Sequence, residues 1–226
     1  MPILYVGIPI LLVFMQPDLG TSLVYIAIFV GMLFVSGIRL RLVRIIATVG
    51  VLLMPLAWFV LKDYQKQRIL VFMNPDIDPF GSGYHIIQSK IAIGSGTIFG
   101  KGLFNGTQSQ LNFLPENHTD FIFSVIGEEL GFIGCIFVLI LLFMLIYRSI
   151  KVAYSCNDRF GMLLATGIGS MLCFEVLVNA GMTMGIMPVT GIPLPFISYG
   201  VSALTTNMIS VGILLNISMQ RKKYIF

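Results

Sequence analysis

Charge is what this sequence lacks. Only 11% of its 226 residues are Asp, Glu, Lys or Arg, against about 25% in a soluble domain. That deficit excludes a soluble enzyme, because too few charges exist to cover a water-facing surface. It also excludes a disordered chain, which needs high charge and low hydrophobicity. Cysteine is scarce as well. Cys135, Cys156 and Cys173 show neither metal-ligand spacing nor the density of a disulfide-stapled module, and read as small buried hydrophobes. The net charge of +4 is too small to point to nucleic acid. What is abundant is apolar: 57% hydrophobic residues and a mean hydropathy of +0.93. An integral membrane protein remains.

Lipid admits helices and closed barrels. The apolar runs are continuous rather than alternating, so they predict helices. Six are predicted: Ile3–Met15, Thr21–Ile38, Leu42–Leu61, Phe121–Tyr147, Phe160–Met182 and Phe196–Ile217. The fold class is thus an all-α polytopic membrane bundle, read as one membrane domain over 1–226. A long connection over 62–119 carries a weaker helix, Tyr84–Ile93, expected to lie in the membrane interface. The first run is short of the roughly 20 residues a span needs, and the chain reads as part of a longer protein.

Positive residues set the expected orientation. Arg39, Arg41 and Arg44, then Arg148, Lys151 and Arg159, then Arg221, Lys222 and Lys223 fall on one side of a six-helix arrangement. That side is the cytoplasm, with both termini inside. The 62–119 connection and most carboxylates then face out, where the work of the protein is expected.

The outer connection is rich in Gly and apolar residues, which argues for an ordered, functional loop. Its Gly94-Ser95-Gly96 and Gly100-Lys101-Gly102 superficially suggest a phosphate loop, but no Ser or Thr follows the lysine. Asp120 opens the fourth predicted span. A carboxylate there can merely complement the helix dipole, for about 0.3–1 kcal/mol. However, it heads a seam of small residues, Ser124, Gly127, Gly131 and Gly134, which lets another helix approach. Asp120 is therefore expected to face the bundle interior at the outer boundary, where burial raises its pKa and suits it to general-base work. Asp18 is either a cap for the second helix or a site residue. Glu128, Glu129, Glu175, Asn179 and Ser198 are polar residues in apolar spans, each either a helix contact or functional.

Five separated motifs, in one order, resemble the SEDS family (shape, elongation, division and sporulation). They are Gln16-Pro17-Asp18-Leu19-Gly20-Thr21, Asn74-Pro75 through Tyr84 with Gln88 through Gly96, Leu114-Pro115-Glu116 through Phe123, Glu128-Glu129-Leu130-Gly131, and Pro188 through Gly200. The wording is closer to the elongation branch than to the division branch. The resemblance implies a fold of roughly ten transmembrane helices, of which this chain looks like the C-terminal six. It implies a peptidoglycan glycosyltransferase of the bacterial cytoplasmic membrane, acting on lipid II, with Asp120 as catalytic base. The partner it implies is a class B penicillin-binding protein. Asp18 matches a second functional acid; Arg68, Lys90, Glu116, His118 and Ser198 are further substrate-binding candidates, the two cations because a pyrophosphate leaves. Asp18 and Asp120 are also candidate ligands for a magnesium or manganese ion. A lipid II flippase and a non-catalytic scaffold for the crosslinking enzyme are the competing functions. Two departures stand out: Val201-Ser202-Ala203 after Gly200, expected to affect close packing there, and Thr97 where glycine is common, expected to affect only loop flexibility.

Overall fold

The computed structural model describes residues 2–16, 18–37, 62–79, 81–111 and 113–220, together with Thr48, Leu52 and Phe59. Apart from those three residues, the helix predicted over 42–61 lies outside the described residues, as do the basic residues Arg39, Arg41, Arg44, Arg221, Lys222 and Lys223. Among the described residues the elements are helical: α1 Pro2–Met15, α2 Leu19–Val35, α3 Asp63–Met73, α4 Ser82–Ser95, α5 Thr107–Gln110, α6 Ile122–Tyr154, α7 Arg159–Thr183 and α8 Val201–Gln220, with a 3-10 turn at Pro75–Ile77.

Three of these, α6, α7 and α8, are long and apolar enough to cross a membrane, and α1 and α2 are shorter apolar helices. Large apolar side chains such as Phe132, Phe137 and Phe143 stand exposed on α6, an arrangement tolerable in lipid and not in water. The protein is an integral membrane protein. α7 is the central helix, packed along both α2 and α6. Small residues allow that approach: Gly167 lies against Met32 and Ile28, and Gly31 against Ser170. Leu142, Ile146, Ala165, Leu172, Val176 and Leu214 join α6, α7 and α8 in one core.

Caps explain two helix starts. The Asp158 carboxylate accepts from the Gly161 N–H at 2.9 Å and begins α7. Asp18 does the same for α2, accepting from the Thr21 N–H at 3.0 Å. The last helix differs from expectation. It starts at Val201 rather than Phe196, because Phe196 has φ 64°, a left-handed conformation that interrupts a helix. Gly200 and Val201 are not tightly enclosed: Val201 is 78% exposed. The Val201-Ser202-Ala203 departure therefore crowds nothing.

The 62–119 connection contains three helices where one was expected. α4 packs against α6 and the end of α7. It buries Ile86, Ser89 and Ala92, and the Ser89 hydroxyl lies 2.6 Å from that of Ser124. Amphipathicity predicts an apolar face, and that face meets protein here. The small-residue seam of α6 receives α4 as expected, with Gly127 against Ile93.

α6 has 33 residues, or ~50 Å at 1.5 Å per residue, well beyond a ~30 Å hydrocarbon core. It is broken at Gly131, which has φ 68° and ψ −164°. In an unbroken helix the Phe132 and Ile133 N–H groups would donate to the Glu128 and Glu129 carbonyls. Instead they donate to the Thr97 and Ile98 carbonyls at 2.9 and 3.2 Å. The freed Glu128 and Glu129 carbonyls accept from the Lys101 and Gly102 N–H groups, both at 3.0 Å. Residues 97–102 thus form a backbone bracket inside the break, replacing two helical bonds with four. This satisfies backbone groups that lipid could not. Thr97 has φ 51° in this bracket. Glycine is favoured there by conformation, so the departure at 97 bears on backbone strain and not only on flexibility.

Gly131→Ala is expected to destabilise the protein by about 2 kcal/mol or more, from the left-handed φ alone. Its methyl would also press on the Ile98 carbonyl and the Gly100 backbone. Thermal unfolding in detergent measures this; an unchanged midpoint would show that the kink is not required.

Candidate active site

The site is built from a turn, a loop and three helices. Residues 114–121 form a compact turn before α6, with the Thr119 and Phe121 N–H groups both donating to the Glu116 carbonyl at 3.2 Å. Pro188, Pro193 and Pro195 keep 185–200 out of helix, so this segment runs as a loop between α7 and α8.

Loop and turn are joined at their backbones. The Tyr199 N–H donates to the His118 carbonyl at 2.8 Å. The Ser198 hydroxyl donates to the Thr119 carbonyl at 2.7 Å and accepts from the Leu194 N–H at 2.7 Å. Asn179 of α7 completes the clamp. Its single amide nitrogen donates to the Asp120 carbonyl at 3.0 Å and to the Ile192 carbonyl at 2.8 Å. Asn179 is fully buried, and its own oxygen has no hydrogen-bond partner among the described residues. Two carbonyls facing one nitrogen fix the amide orientation, since the flipped oxygen would face both. Asn179→Ala is expected to cost about 1–3 kcal/mol, the desolvation penalty of two stranded acceptors. Asn179→Asp should cost more, because a carboxylate would repel both carbonyls. Chemical denaturation of the two variants checks that order.

The Asp120 side chain is half-buried and faces Gly191, where a β-carbon would stand 3.4 Å from Oδ2. Gly191 has φ 77°, so glycine supplies both the conformation and the space. Burial pushes the Asp120 carboxyl above its ordinary pKa, Glu116 pushes it further, and Arg68 and His85 partly offset both. Arg68 comes from α3, donates to the Val189 carbonyl at 3.3 Å, and lies 5.9 Å from the Tyr64 ring centroid. His85 comes from α4 and stacks on Phe121 with centroids 6.0 Å apart. Its Nδ1 is buried without a hydrogen-bond partner among the described residues. Sequence reasoning did not single out His85, although it is one of two histidines in the chain and adjoins the Gly81–Tyr84 motif.

The other sequence candidates divide. Arg68 and Glu116 act electrostatically on Asp120, and Glu116 also accepts from the Thr119 hydroxyl at 3.0 Å. Ser198 holds the turn through the two backbone bonds given above. Asp18 uses both carboxylate oxygens on Thr21, the second bond being 2.6 Å from the hydroxyl. It still adjoins the site, because Gly20 backs onto the Thr190 carbonyl and Ile192, the same loop that Asp120 faces. Lys90 is exposed, lies over Gly185, and is not among the charges acting on Asp120. His118 is exposed beside a small cavity. Glu175 is half-buried on α7. Glu128 is a structural residue: fully buried, ion-paired with Lys101 at 2.8 Å, and accepting from the Gln108 and Ser109 N–H groups that open α5.

The donor set does not make a preformed metal site. Among the described residues no group of three or more His, Cys, Asp or Glu side chains converges, and Asp18 is committed to Thr21. The chemistry available at Asp120 is that of a raised-pKa carboxylate near the Arg68 guanidinium, suited to taking a proton where negative charge develops nearby.

The chain is 49% identical over 215 residues to the peptidoglycan glycosyltransferase MrdB of Escherichia coli K12, covering 95% of this chain and 58% of that protein. It therefore spans a little over half of that relative's length. It is 33% identical, with a TM-score of 0.80, to a chain from a structure of a peptidoglycan synthase complex that coordinates polymerization and crosslinking, covering 99% of this chain and 62% of the other. A crystal structure of a mutant of the Thermus thermophilus rod shape determining protein RodA matches with a TM-score of 0.64 and 30% identity, covering 97% of this chain and 56% of that one. The family model FTSW_RODA_SPOVE, described as Cell cycle protein, matches residues 1–223. The chain belongs to this FtsW, RodA and SpoVE family of cell cycle proteins.

Proposed function

We propose that the protein is a peptidoglycan glycosyltransferase that polymerises lipid II into β-1,4 glycan strands for cell elongation and shape. The observation that carries this is the Asp120 carboxyl: half-buried, raised in pKa, and seated between a clamped turn and Gly191 with Arg68 and His85 nearby. The family and the relatives' names support the same reading.

In the proposed reaction the 4-hydroxyl of one lipid II sugar approaches Asp120. The carboxylate takes the hydroxyl proton as the oxygen bonds to the anomeric carbon of the growing chain. The bond from that carbon to the pyrophosphate oxygen breaks, configuration inverts, and the lipid pyrophosphate leaves with the electron pair. Arg68, and His85 when protonated, offset the charge that develops on the leaving group. The clamp by Asn179, Ser198 and Tyr199 holds the base in place, so that its position does not have to be found during the reaction.

The active face is the outer one. Arg148, Lys151 and Arg159 lie at the α6–α7 connection, the end expected to face the cytoplasm, and Asp120 lies at the other end of α6. A class B penicillin-binding protein is the proposed partner, supported by the likeness to a complex that joins polymerization to crosslinking. The test is polymerisation of labelled lipid II by the full-length protein with that partner in vesicles. Glycan from the wild type supports the reading. Transfer of lipid II across the bilayer without glycan supports a flippase, and neither activity supports a scaffold.

A further inference from the structure

The small cavity beside His118 flanks the turn that carries Asp120. It has a volume of about 260 Å³ and lies between α5, the first half of α6 and the 104–118 segment. Ser109, Gln110, Asn117, His118 and Glu129 supply its polar lining, and Phe104 and Val125 its apolar lining. Glu129 is only 9% exposed, yet its carboxylate makes no hydrogen bond or ion pair among the described residues. The cation of this loop, Lys101, is already committed to Glu128 at 2.8 Å and to the Thr107 hydroxyl at 2.8 Å.

A carboxylate that opens into a cavity from a largely buried residue, with no protein partner, is stabilised by a cation entering that cavity. The volume is below that of a drug-sized pocket and suits one small head group. Phe104 and Val125 beside the Glu129 charge, with further hydrogen-bonding groups from Ser109, Gln110 and Asn117, fit an ammonium at the end of a methylene chain, which buries its stem and pairs its tip. The cavity is also on the right part of the chain. His118 lies two residues from Asp120, and its carbonyl is pinned by Tyr199 within the same clamp.

We propose that Glu129 and this cavity form a subsite for a primary alkylammonium group. Resting on the reading of the protein as a lipid II polymerase, that group is the free side-chain amine of the substrate's stem peptide. The peptide is thereby held on one side of the turn while its sugar meets Asp120 on the other.

The test is equilibrium binding of fluorescent lipid II to the full-length protein with its partner. Lipid II with a free stem amine is compared with the same molecule N-acetylated at that amine. The wild type is expected to bind the free amine about tenfold more tightly, the scale of one charge-assisted hydrogen bond. Glu129→Gln should weaken binding of the free-amine substrate alone, to the acetylated level. Equal binding of the two substrates by the wild type overturns the subsite, and this comparison needs no variant. Equal weakening of both by Glu129→Gln also overturns it. Glycan formation is scored separately: discrimination without glycan would remove the polymerase reading and leave the subsite, whereas glycan without discrimination would remove only the subsite.

Discussion

Asp120→Asn is expected to abolish detectable glycan synthesis, with a loss on the order of a thousandfold, within the range general-base catalysis supplies. Asparagine keeps the size of the side chain, and the Asn179 bond is to the backbone carbonyl of residue 120, so the clamp survives. The variant should fold, and its stability should not fall. The Asp120 pKa is raised in the folded state, mainly by burial. A carboxyl with a raised folded pKa binds its proton more tightly folded than unfolded, so its stabilising contribution is present at low pH. It is lost as pH rises from the ordinary value of about 3.9 through the raised one. Above that window the ionised group is a net cost that asparagine removes. An inactive variant with an equal or higher unfolding midpoint at pH 7 is the expected pair of results. The wild-type rate should fall as pH drops through the same raised pKa, because only the ionised form accepts a proton. Glu116→Gln removes one cause of the upward shift and should move that acid limb to lower pH. Wild-type polymer from Asp120→Asn would remove the base from the mechanism.

Glu128→Ala is expected to give the largest loss of stability, about 3–5 kcal/mol, the scale for removing one partner of a buried ion pair. The side chain is fully buried and accepts from Lys101 at 2.8 Å, Thr107 at 3.2 Å, Gln108 at 2.9 Å and Ser109 at 3.1 Å. Alanine would strand the Gln108 and Ser109 N–H groups and take from Lys101 its carboxylate partner, leaving it the Thr107 hydroxyl. The effect should extend beyond α5, because the Glu128 backbone carbonyl also accepts from the Lys101 N–H. Side chain and main chain of one residue thus hold the bracket that fills the break in α6. Its release frees the half-helix that begins beside Asp120, so glycan synthesis should fall together with stability. Glu128→Gln keeps an acceptor oxygen for the α5 N–H groups and should lose less. Thermal unfolding and protease sensitivity of the 98–113 segment measure both. A change below about 1 kcal/mol for Glu128→Ala would show that the pair is solvated.

Much of this protein is local and therefore legible in its sequence. Hydropathy marked α6, α7 and the two short apolar helices, because transfer to lipid is a property of each stretch by itself. The Asp18 cap is equally local, since its partner Thr21 is three residues on. The half-buried placement of Asp120 was legible from the small-residue seam below it, and the five motifs carried the family. The fold alone decided the rest. Amphipathicity gave α4 an apolar face but could not say whether protein or lipid would cover it. The start of α8 was misplaced because residue 196 takes φ 64°, which the surrounding loop imposes. The Asn179 side-chain amide meets a carbonyl 59 residues away, and the bracket of 97–102 in the Gly131 break joins backbone groups that every residue type possesses. Such bonds leave almost no trace in side-chain chemistry, so only the packed chain determines which distant carbonyl meets which donor.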